Sequence, residues 1–119
     1  MYNPREVLPK NKRKEYKKMP VIIDTEENMV VAHLKGEIDH HNAKELRSDI
    51  DLAIDKYHPE SVVLDFNDVT FMDSSGIGLV MGRYKITSEY GGRIVVENTS
   101  THIKKVMRLA GLDRLAEIK

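Results

Sequence analysis

The segment SVVLDFNDVTFMDSSGIG, residues 61–78, is the part of the sequence that says most about the fold. Residues 61–66 are almost continuously apolar, which is typical of a strand that is buried on both faces of a parallel or mixed sheet. Residues 73–78 are mostly small or polar, and an apolar-periodic segment over residues 79–86 follows them. The pattern therefore predicts a buried strand that gives way to a helix at two adjacent serines.

The two serines, Ser74 and Ser75, lie where a phosphate group is favoured. The first N–H groups of a helix have no intrahelical partner, and the helix dipole places partial positive charge there. These residues alone do not decide whether such a phosphate is a bound ligand or a covalent modification. Their simplest structural role is an N-cap, in which Ser74 or Ser75 accepts a hydrogen bond from a backbone N–H group.

Two glycines, Gly76 and Gly78, follow the serines in the first turn of the predicted helix. Each costs up to about 1 kcal/mol of helix stability relative to alanine. They are expected to let the helix pack closely on the sheet, and they leave the backbone and the serine hydroxyl accessible to another protein. We therefore interpret residues 73–78 as a modifiable docking site.

The remainder of the chain alternates strands and helices after an initial hairpin. Two apolar runs around the polar turn at residues 26–28 predict the hairpin, and Gly36 is expected to end it. The clearest helix has apolar residues at three- and four-residue steps, with Asn42 as its expected N-cap and Glu45 as the partner in a capping-box pattern. The predicted elements are strands at 20–25, 29–34, 61–66, 93–97 and 115–118, and helices at 42–57, 75–90 and 101–110. This β-β-α-β-α-β-α order predicts an α/β sandwich with a mixed, mostly parallel sheet and helices packed against it.

The length and composition indicate a small soluble protein. One domain accounts for 119 residues, and cysteine is absent, so the chain has no disulfide, thiolate metal site or cysteine nucleophile. No apolar run is long enough to span a membrane, and the N-terminus lacks the apolar segment of a signal peptide. We expect a cytoplasmic protein that contacts no membrane and needs no cofactor.

The net charge of zero conceals two parts of opposite sign. Residues 1–18 contain seven Lys or Arg residues and two acidic residues, and the rest of the chain carries the compensating negative charge. An acidic body lacks the basic face of a nucleic-acid-binding protein, so we expect no direct DNA binding. We interpret residues 1–18 as a disordered basic leader and residues 19–119 as the folded domain, although such charge blocks also serve as interaction arms.

No motif in the chain indicates catalytic chemistry. The phosphate-binding GxxxxGK[ST] and GxGxxG patterns and the zinc-binding HExxH pattern are absent. Ser74 does not fit the hydrolase nucleophile motif, which has glycine two positions before and after the serine, because Met72 occupies the first of these positions. The pair His40-His41 has no further ligand at a suitable spacing, and its side chains are expected to point in different directions. We therefore expect no enzymatic activity, no catalytic residue and no metal site.

Residues 71–78, FMDSSGIG, resemble the phosphorylation motif of STAS-domain anti-sigma factor antagonists. Residues 36–41, GEIDHH, are similar to the matching loop of a sporulation member of that family. The similarity continues through residues 82–85 and 91–92 and covers about residues 20–119. Two separate motifs thus indicate the same family.

The resemblance implies a regulatory protein that is switched by phosphorylation. Family members are small non-enzymatic proteins, which an anti-sigma factor with serine kinase activity phosphorylates and a serine phosphatase restores. The unphosphorylated form binds the kinase and releases the sigma factor. By this resemblance Ser74 is the phosphoacceptor. The partner-binding residues are then Asp39, Asp73, Ser74, Ser75, Gly76, Ile77 and Gly78.

Two alternatives remain open at this point. A STAS module that binds a nucleotide or another small ligand non-covalently would hold a phosphate at the same helix N-terminus. A STAS module in a stress-signalling complex would use the same serine with different partners. Partner identity separates the second alternative from a sporulation pathway, because the chemistry of the switch is the same in both.

Overall fold

The structure, a computed structural model, describes residues 21–119. Its elements in chain order are β1 (Val21–Glu26), β2 (Met29–Ile38), α1 (Ala43–Tyr57), β3 (Ser61–Met72), α2 (Ser74–Ser88), β4 (Arg93–Glu97), α3 (Thr101–Leu109), a short 3-10 helix (Leu112–Arg114) and β5 (Glu117–Ile118). The predicted basic leader at residues 1–18 and the predicted start of the domain at Met19 lie outside the described residues.

Five strands form one mixed sheet in the order β1-β2-β3-β4-β5. β1 pairs antiparallel with β2 as the predicted hairpin, whereas β2, β3, β4 and β5 run parallel to one another. Each parallel pair is joined through a helical crossover that contains α1, α2 or α3, as parallel neighbours require. The structure therefore confirms the predicted α/β fold and its order of strands and helices.

The three helices share one hydrophobic core with one face of the sheet. Along β2 the side chains alternate, because Val30 and Leu34 are at most 1% exposed whereas Val31 and His33 are half-buried. The same core cluster contains Leu46, Ile50 and Ile54 of α1, Leu79 and Val80 of α2, and Ile103 and Met107 of α3. This packing fixes where the N-terminal turns of α1 and α2 lie. Within residues 21–119, no helix has the length and apolar character that crossing a bilayer requires.

The strands β2 and β3 are longer than the sequence pattern predicts. Gly36 does not end β2 but lies within it at φ +85°, beside a shift in the register between β2 and β3. β3 continues past Phe66 to Met72, and over this extension it pairs with β2 alone. The apolar run ends at Phe66 because the extension carries several exposed polar side chains. At the other end of the fold, α2 stops at Ser88, two residues before the predicted end.

A buried ion pair joins α1 to α2. Arg83 of α2 is 3% exposed, and its Nε atom lies 2.8 Å from Oδ1 of Asp51 on α1. Burial raises the pKa of Asp51, whereas the positive charge of Arg83 opposes that shift. Because a buried guanidinium is costly without a counter-charge, the pair helps to fix how the two helices face each other.

A histidine on the other face of the sheet lies between two carboxylates. Nδ1 of His33 is 2.7 Å from Oδ2 of Asp65 on β3, and Nε2 is 2.9 Å from Oδ2 of Asp24 on β1. Carboxylate oxygens only accept hydrogen bonds, so His33 makes both contacts when its ring is protonated and both nitrogens donate. Asp65 also accepts hydrogen bonds from Asn98 and from the N–H of Asn67. This cluster links β1, β2 and β3.

We expect the His33 cluster to stabilise the fold most at mildly acidic pH. Partial burial lowers the pKa of His33, but hydrogen bonds to Asp65 and Asp24 and their negative charges outweigh it, so the pKa is raised above 6.5. The stabilisation is therefore complete below the unfolded-state pKa of about 6.5 and is lost as the pH rises through the folded-state pKa. For side chains this exposed, it amounts to about 0.5–1 kcal/mol of unfolding free energy.

Urea unfolding at about pH 6 and about pH 8 measures this contribution. The free energy of unfolding should fall between the two pH values in the wild type, and it should fall less in His33→Gln. The glutamine side chain keeps a polar group at the position but does not titrate, so it isolates the effect of the charge. An equally large fall in both proteins would contradict the role assigned to His33.

Candidate functional site

The predicted site lies at the edge of the sheet where β2 and β3 end. The two strands are parallel, and their last residues, Ile38 and Met72, are direct partners in the register. The N–H of Asp73 donates a hydrogen bond to the carbonyl oxygen of Ile38, with 3.1 Å between the two atoms. Asp39 and Asp73 therefore leave the sheet side by side. Two loops that are distant in the sequence form one surface.

Asp73, and not a serine, caps α2. Its backbone is extended, with φ −99° and ψ −167°, and its Oδ1 atom accepts a hydrogen bond of 2.7 Å from the N–H of Ser75. The prediction that Ser74 or Ser75 provides the N-cap is therefore wrong. Aspartate and serine cap helices about equally well, and the end of β3 at Met72 places Asp73 at the capping position. The serine hydroxyls are left free of this role.

Ser74 is an exposed residue with an unused hydroxyl. It is the first residue of α2, and its side chain makes no hydrogen bond within residues 21–119. A serine that acts as a nucleophile needs an adjacent general base, and none is bonded to Ser74 in the described part of the chain. The hydroxyl of Ser74 is therefore open to solvent at the N-terminus of α2.

The two glycines of the first turn have different roles. Gly76 is buried, and a Cβ atom there would collide with Cγ and Sδ of Met72 and lie 3.5 Å from Cγ2 of Ile38. Gly76 therefore allows α2 to approach the ends of β2 and β3, which is the packing role that the sequence predicts. Gly78 is exposed, and a Cβ atom there would meet nothing within 4 Å. The prediction that Gly78 serves close packing is wrong, because the helix turns this position away from the sheet.

The loop after β2 is held by its own side chains. Oδ1 of Asp39 accepts hydrogen bonds from the N–H groups of His41 (2.9 Å) and Asn42 (3.1 Å), and Oδ1 of Asn42 accepts one from the N–H of Asp39 (3.0 Å). Asn42 also donates from Nδ2 to the carbonyl oxygen of Glu37. Asn42 occupies the N-cap position of α1 as predicted, but its side chain makes no capping hydrogen bond, so the predicted capping box with Glu45 is wrong. These bonds hold Asp39 in a fixed turn beside the start of α2.

The predicted partner-binding residues differ in how far another protein is able to reach them. Ser74 and Gly78 are exposed, Asp39, Asp73, Ser75 and Ile77 are half-buried, and Gly76 is buried. Ile77 also packs against the edge of the hydrophobic core. The exposed and half-buried residues are accessible from solvent, whereas Gly76 is not.

A cavity that the sequence does not reveal lies between α1 and the first turn of α2. It has a volume of about 330 Å³, with His40, Lys44 and Arg47 on one side and Ser75, Gly78 and Leu79 on the other. We call it the basic cavity, because every titratable side chain in its lining is basic. The three-residue spacing of Lys44 and Arg47 predicts that they share a face of α1. Only the packing of α1 beside α2 turns that face toward Ser75 and Gly78.

The sequence predicts that His40 and His41 point in different directions, and this prediction is wrong. In the structure the two rings lie against each other. Their ring centroids are 4.1 Å apart, and both residues are exposed in the loop between β2 and α1. Within residues 21–119, no group of three His, Cys, Asp or Glu side chains is placed to hold a metal ion.

Comparisons with known proteins agree with this geometry. Residues 20–119 match the family model of the STAS domain. The chain is 33% identical to the anti-sigma F factor antagonist of Paenibacillus polymyxa, over 76% of this chain and 77% of that protein. It is 29% identical to the anti-sigma-B factor antagonist of Bacillus subtilis, over 82% of this chain and 88% of that protein.

Solved structures show the same relationship. A structure of the anti-sigma factor antagonist SpoIIAA in its unphosphorylated form is 32% identical and superposes with a TM-score of 0.72, over 83% of this chain and 87% of that chain. A structure of SpoIIAA from Bacillus in the phosphorylated form is also 32% identical, with a TM-score of 0.67 over 83% of this chain and 90% of that chain.

These relatives are named for antagonism of an anti-sigma factor, which is a binding activity and not a catalysed reaction. The family match over residues 20–119, the five-stranded mixed sheet and the motif at the start of α2 all agree. They confirm the family that the resemblance of residues 71–78 indicates: the chain belongs to the STAS-domain family, among its anti-sigma factor antagonists.

Proposed function

We propose that this chain is an anti-sigma factor antagonist that phosphorylation of Ser74 switches off. The unphosphorylated form binds an anti-sigma factor with serine kinase activity, and this binding releases the sigma factor. The kinase transfers phosphate to Ser74, and a serine phosphatase removes it. The observation that carries the proposal is the exposed, unbonded hydroxyl of Ser74 at the first residue of α2. The existence of SpoIIAA in unphosphorylated and phosphorylated forms supports it.

A phosphate on Ser74 would change the charge of this surface without refolding the chain. Phosphoserine carries about −1.5 to −2 charges at pH 7. The N-terminus of α2 offsets about 0.3–1 kcal/mol of the cost within the protein. A partner that contacts Ser74 closely gains no such compensation, and it meets added bulk and added negative charge. A local change of charge therefore suffices as the switch.

We assign partner contact to the surface around Ser74, and we assign the positioning of α2 to Gly76. The contact surface consists of Asp39, Asp73, Ser74, Ser75, Ile77 and Gly78. Asp39 and Asp73 belong to it because the parallel ends of β2 and β3 bring them to the same edge as Ser74. Because the proposed partners regulate transcription, we also propose that the protein acts in the cytoplasm.

Incubation with the purified anti-sigma factor kinase and ATP tests the phosphorylation site. We expect mass spectrometry to find one phosphate on the wild type, located on Ser74, and none on Ser74→Ala. Ser88→Ala is the matched control, because Ser88 is an exposed serine at the other end of α2, outside the contact surface, and its replacement should leave the labelling unchanged. Labelling of Ser74→Ala as complete as that of the wild type would show that the site is assigned wrongly.

Two pathways are candidates, because the chain is similar both to an anti-sigma F factor antagonist and to an anti-sigma-B factor antagonist. The chemistry of the switch is the same in both, so only the partner distinguishes them. Ser74→Ala is a suitable bait, since it cannot be switched off. Recovery from the native host of an anti-sigma factor of the sigma-F or the sigma-B type would identify the pathway.

A further inference from the structure

We propose that the basic cavity receives the phosphate group of phosphorylated Ser74, so that Lys44 and Arg47 hold the dianion on the protein's own surface. The ligand is thus a covalently attached phosphate, and the site is intramolecular. This inference rests on the proposed phosphorylation of Ser74, and it names the residues that receive the phosphate.

Gly78 opens the path from Ser74 to the basic cavity. Residues four apart lie on the same face of a helix, so Gly78, which lines the cavity, stands one turn after Ser74. Helical side chains tilt back toward the N-terminus of their helix, so a side chain at position 78 would cover Ser74 and the mouth of the cavity. A Cβ atom at position 78 would meet nothing within 4 Å, so internal packing does not require glycine there.

The basic cavity places positive charge beside Ser75, the neighbour of the proposed phosphoacceptor. Its lining contains His40, Lys44 and Arg47 and no carboxylate. Lys44 and Arg47 are both exposed, so their side chains are able to turn toward a new anion. Arg47 also attracts the carboxylate of Asp51 on α1. That carboxylate already pairs with the buried guanidinium of Arg83, 2.8 Å away. A phosphate at the cavity mouth would therefore be a better counter-charge for Arg47.

Two acidic groups at the same edge of the sheet as Ser74, Asp73 and Asp39, are held in place by hydrogen bonds from the backbone. Oδ1 of Asp73 accepts the hydrogen bond from the N–H of Ser75, and Oδ1 of Asp39 accepts two from the N–H groups of the following loop. These carboxylates repel a phosphate, and they cannot turn away without losing those bonds. A phosphate on Ser74 is therefore driven away from Asp39 and Asp73 and toward the basic cavity.

The cavity also fits the group in size and in chemistry. Its volume of about 330 Å³ is several times the share of one water molecule in the liquid, about 30 Å³. A phosphate and its remaining hydration water have room there. The planar guanidinium of Arg47 presents paired N–H donors that match phosphate oxygens, and Lys44 adds a mobile point charge. Binding of the phosphate would hold the side chains of Lys44 and Arg47 at the cavity and would stabilise the phosphorylated form of the protein.

Titration of the phosphate by 31P NMR tests the proposal. The full chain is produced with phosphoserine installed at position 74 during translation, so no kinase is needed. The second pKa of an unperturbed phosphoserine is about 6, and nearby positive charge favours the dianion, so we expect a lower pKa in the otherwise wild-type protein. It should rise by about 0.3–0.5 units in Lys44→Gln and in Arg47→Gln, and by more in the double variant.

Lys105→Gln is the matched control, because Lys105 is an exposed lysine of α3 outside the cavity lining, and its replacement should leave the phosphoserine pKa unchanged. The N-terminus of α2 and His40 are the same in all these variants, so the differences report Lys44 and Arg47. An unchanged pKa in the double variant would overturn the proposal. Weaker binding of that unphosphorylated variant to the anti-sigma factor would then assign the cavity to an acidic group of the partner. Kinase labelling of Ser74 is measured separately, so the two proposals fail independently.

Discussion

Phosphorylation of Ser74 is expected to weaken binding to the anti-sigma factor more than a hundredfold. Each 1.4 kcal/mol changes affinity about tenfold, and a like-charge contact at an interface costs several kcal/mol, so a cost of about 3 kcal/mol already exceeds a hundredfold. The full cost falls on the interface, because the hydroxyl of Ser74 is exposed and makes no bond within residues 21–119. The fold itself should lose little stability.

Calorimetric titration of the anti-sigma factor with five proteins measures this effect. Ser74→Ala should bind like the unphosphorylated wild type, the phosphorylated protein should bind most weakly, and Ser74→Asp should lie between them because it adds a single charge. Ser88→Asp is the control, since it places the same charge at an exposed position at the other end of α2 and should bind normally. Affinities within threefold for the phosphorylated and unphosphorylated proteins would contradict the switch.

Replacement of Gly78 is expected to stabilise the fold and to impair phosphorylation. An alanine in a helix is more stable than a glycine by about 0.5–1 kcal/mol, and a Cβ atom at position 78 meets no other group. A longer side chain leans back over the first turn of α2, where Ser74 is exposed. Gly78→Leu should therefore be phosphorylated at least tenfold more slowly, whereas its free energy of unfolding should not fall below that of the wild type.

Three glycine variants of α2 separate the two effects when urea unfolding is combined with the rate of kinase labelling. Gly78→Ala should gain stability and keep most of its labelling, because a methyl group is too short to cover Ser74. Gly82→Ala should gain similar stability, since position 82 is also open, and should be labelled normally. Gly76→Ala should lose stability through the collision with Met72. Labelling of Gly78→Leu at the wild-type rate would show that Gly78 does not control access to Ser74.

The strands and helices were largely predictable because their signals are local. The apolar run at residues 61–66 and the helical periodicity after it lie within single elements, and the predicted strands and α-helices were found, whereas the short 3-10 helix at Leu112–Arg114 was not predicted. The missing part of β3, from residue 67 to Met72, has exposed polar residues and pairs with β2 alone. A pattern of burial cannot find a strand segment that is not buried. The starts of β2 and β3 were predicted correctly, whereas their C-terminal ends came only from the structure.

The caps of the helices were less predictable, because moving the start of a helix by one residue changes which side chain caps it. Asp73, Ser74 and Ser75 are all good capping residues, and the end of β3 selects Asp73. Asn42 has the right chemistry for the start of α1, but its side chain is bonded to the loop instead. The selection of Asp73 matters for function, since it leaves the hydroxyl of Ser74 unused.

The order of the strands and helices, the family and the position of the serine motif between β3 and α2 follow from the amino-acid sequence alone. These properties depend on apolar periodicity and on short motifs, which are written in neighbouring residues. Three further features are visible only in the packed fold. Asp39 and Asp73 share an edge of the sheet, and Gly76, not Gly78, faces the sheet. Lys44 and Arg47 form a cavity with α2. Those outcomes depend on the parallel register of β2 and β3 and on the packing of α1 beside α2, which join residues far apart in the chain.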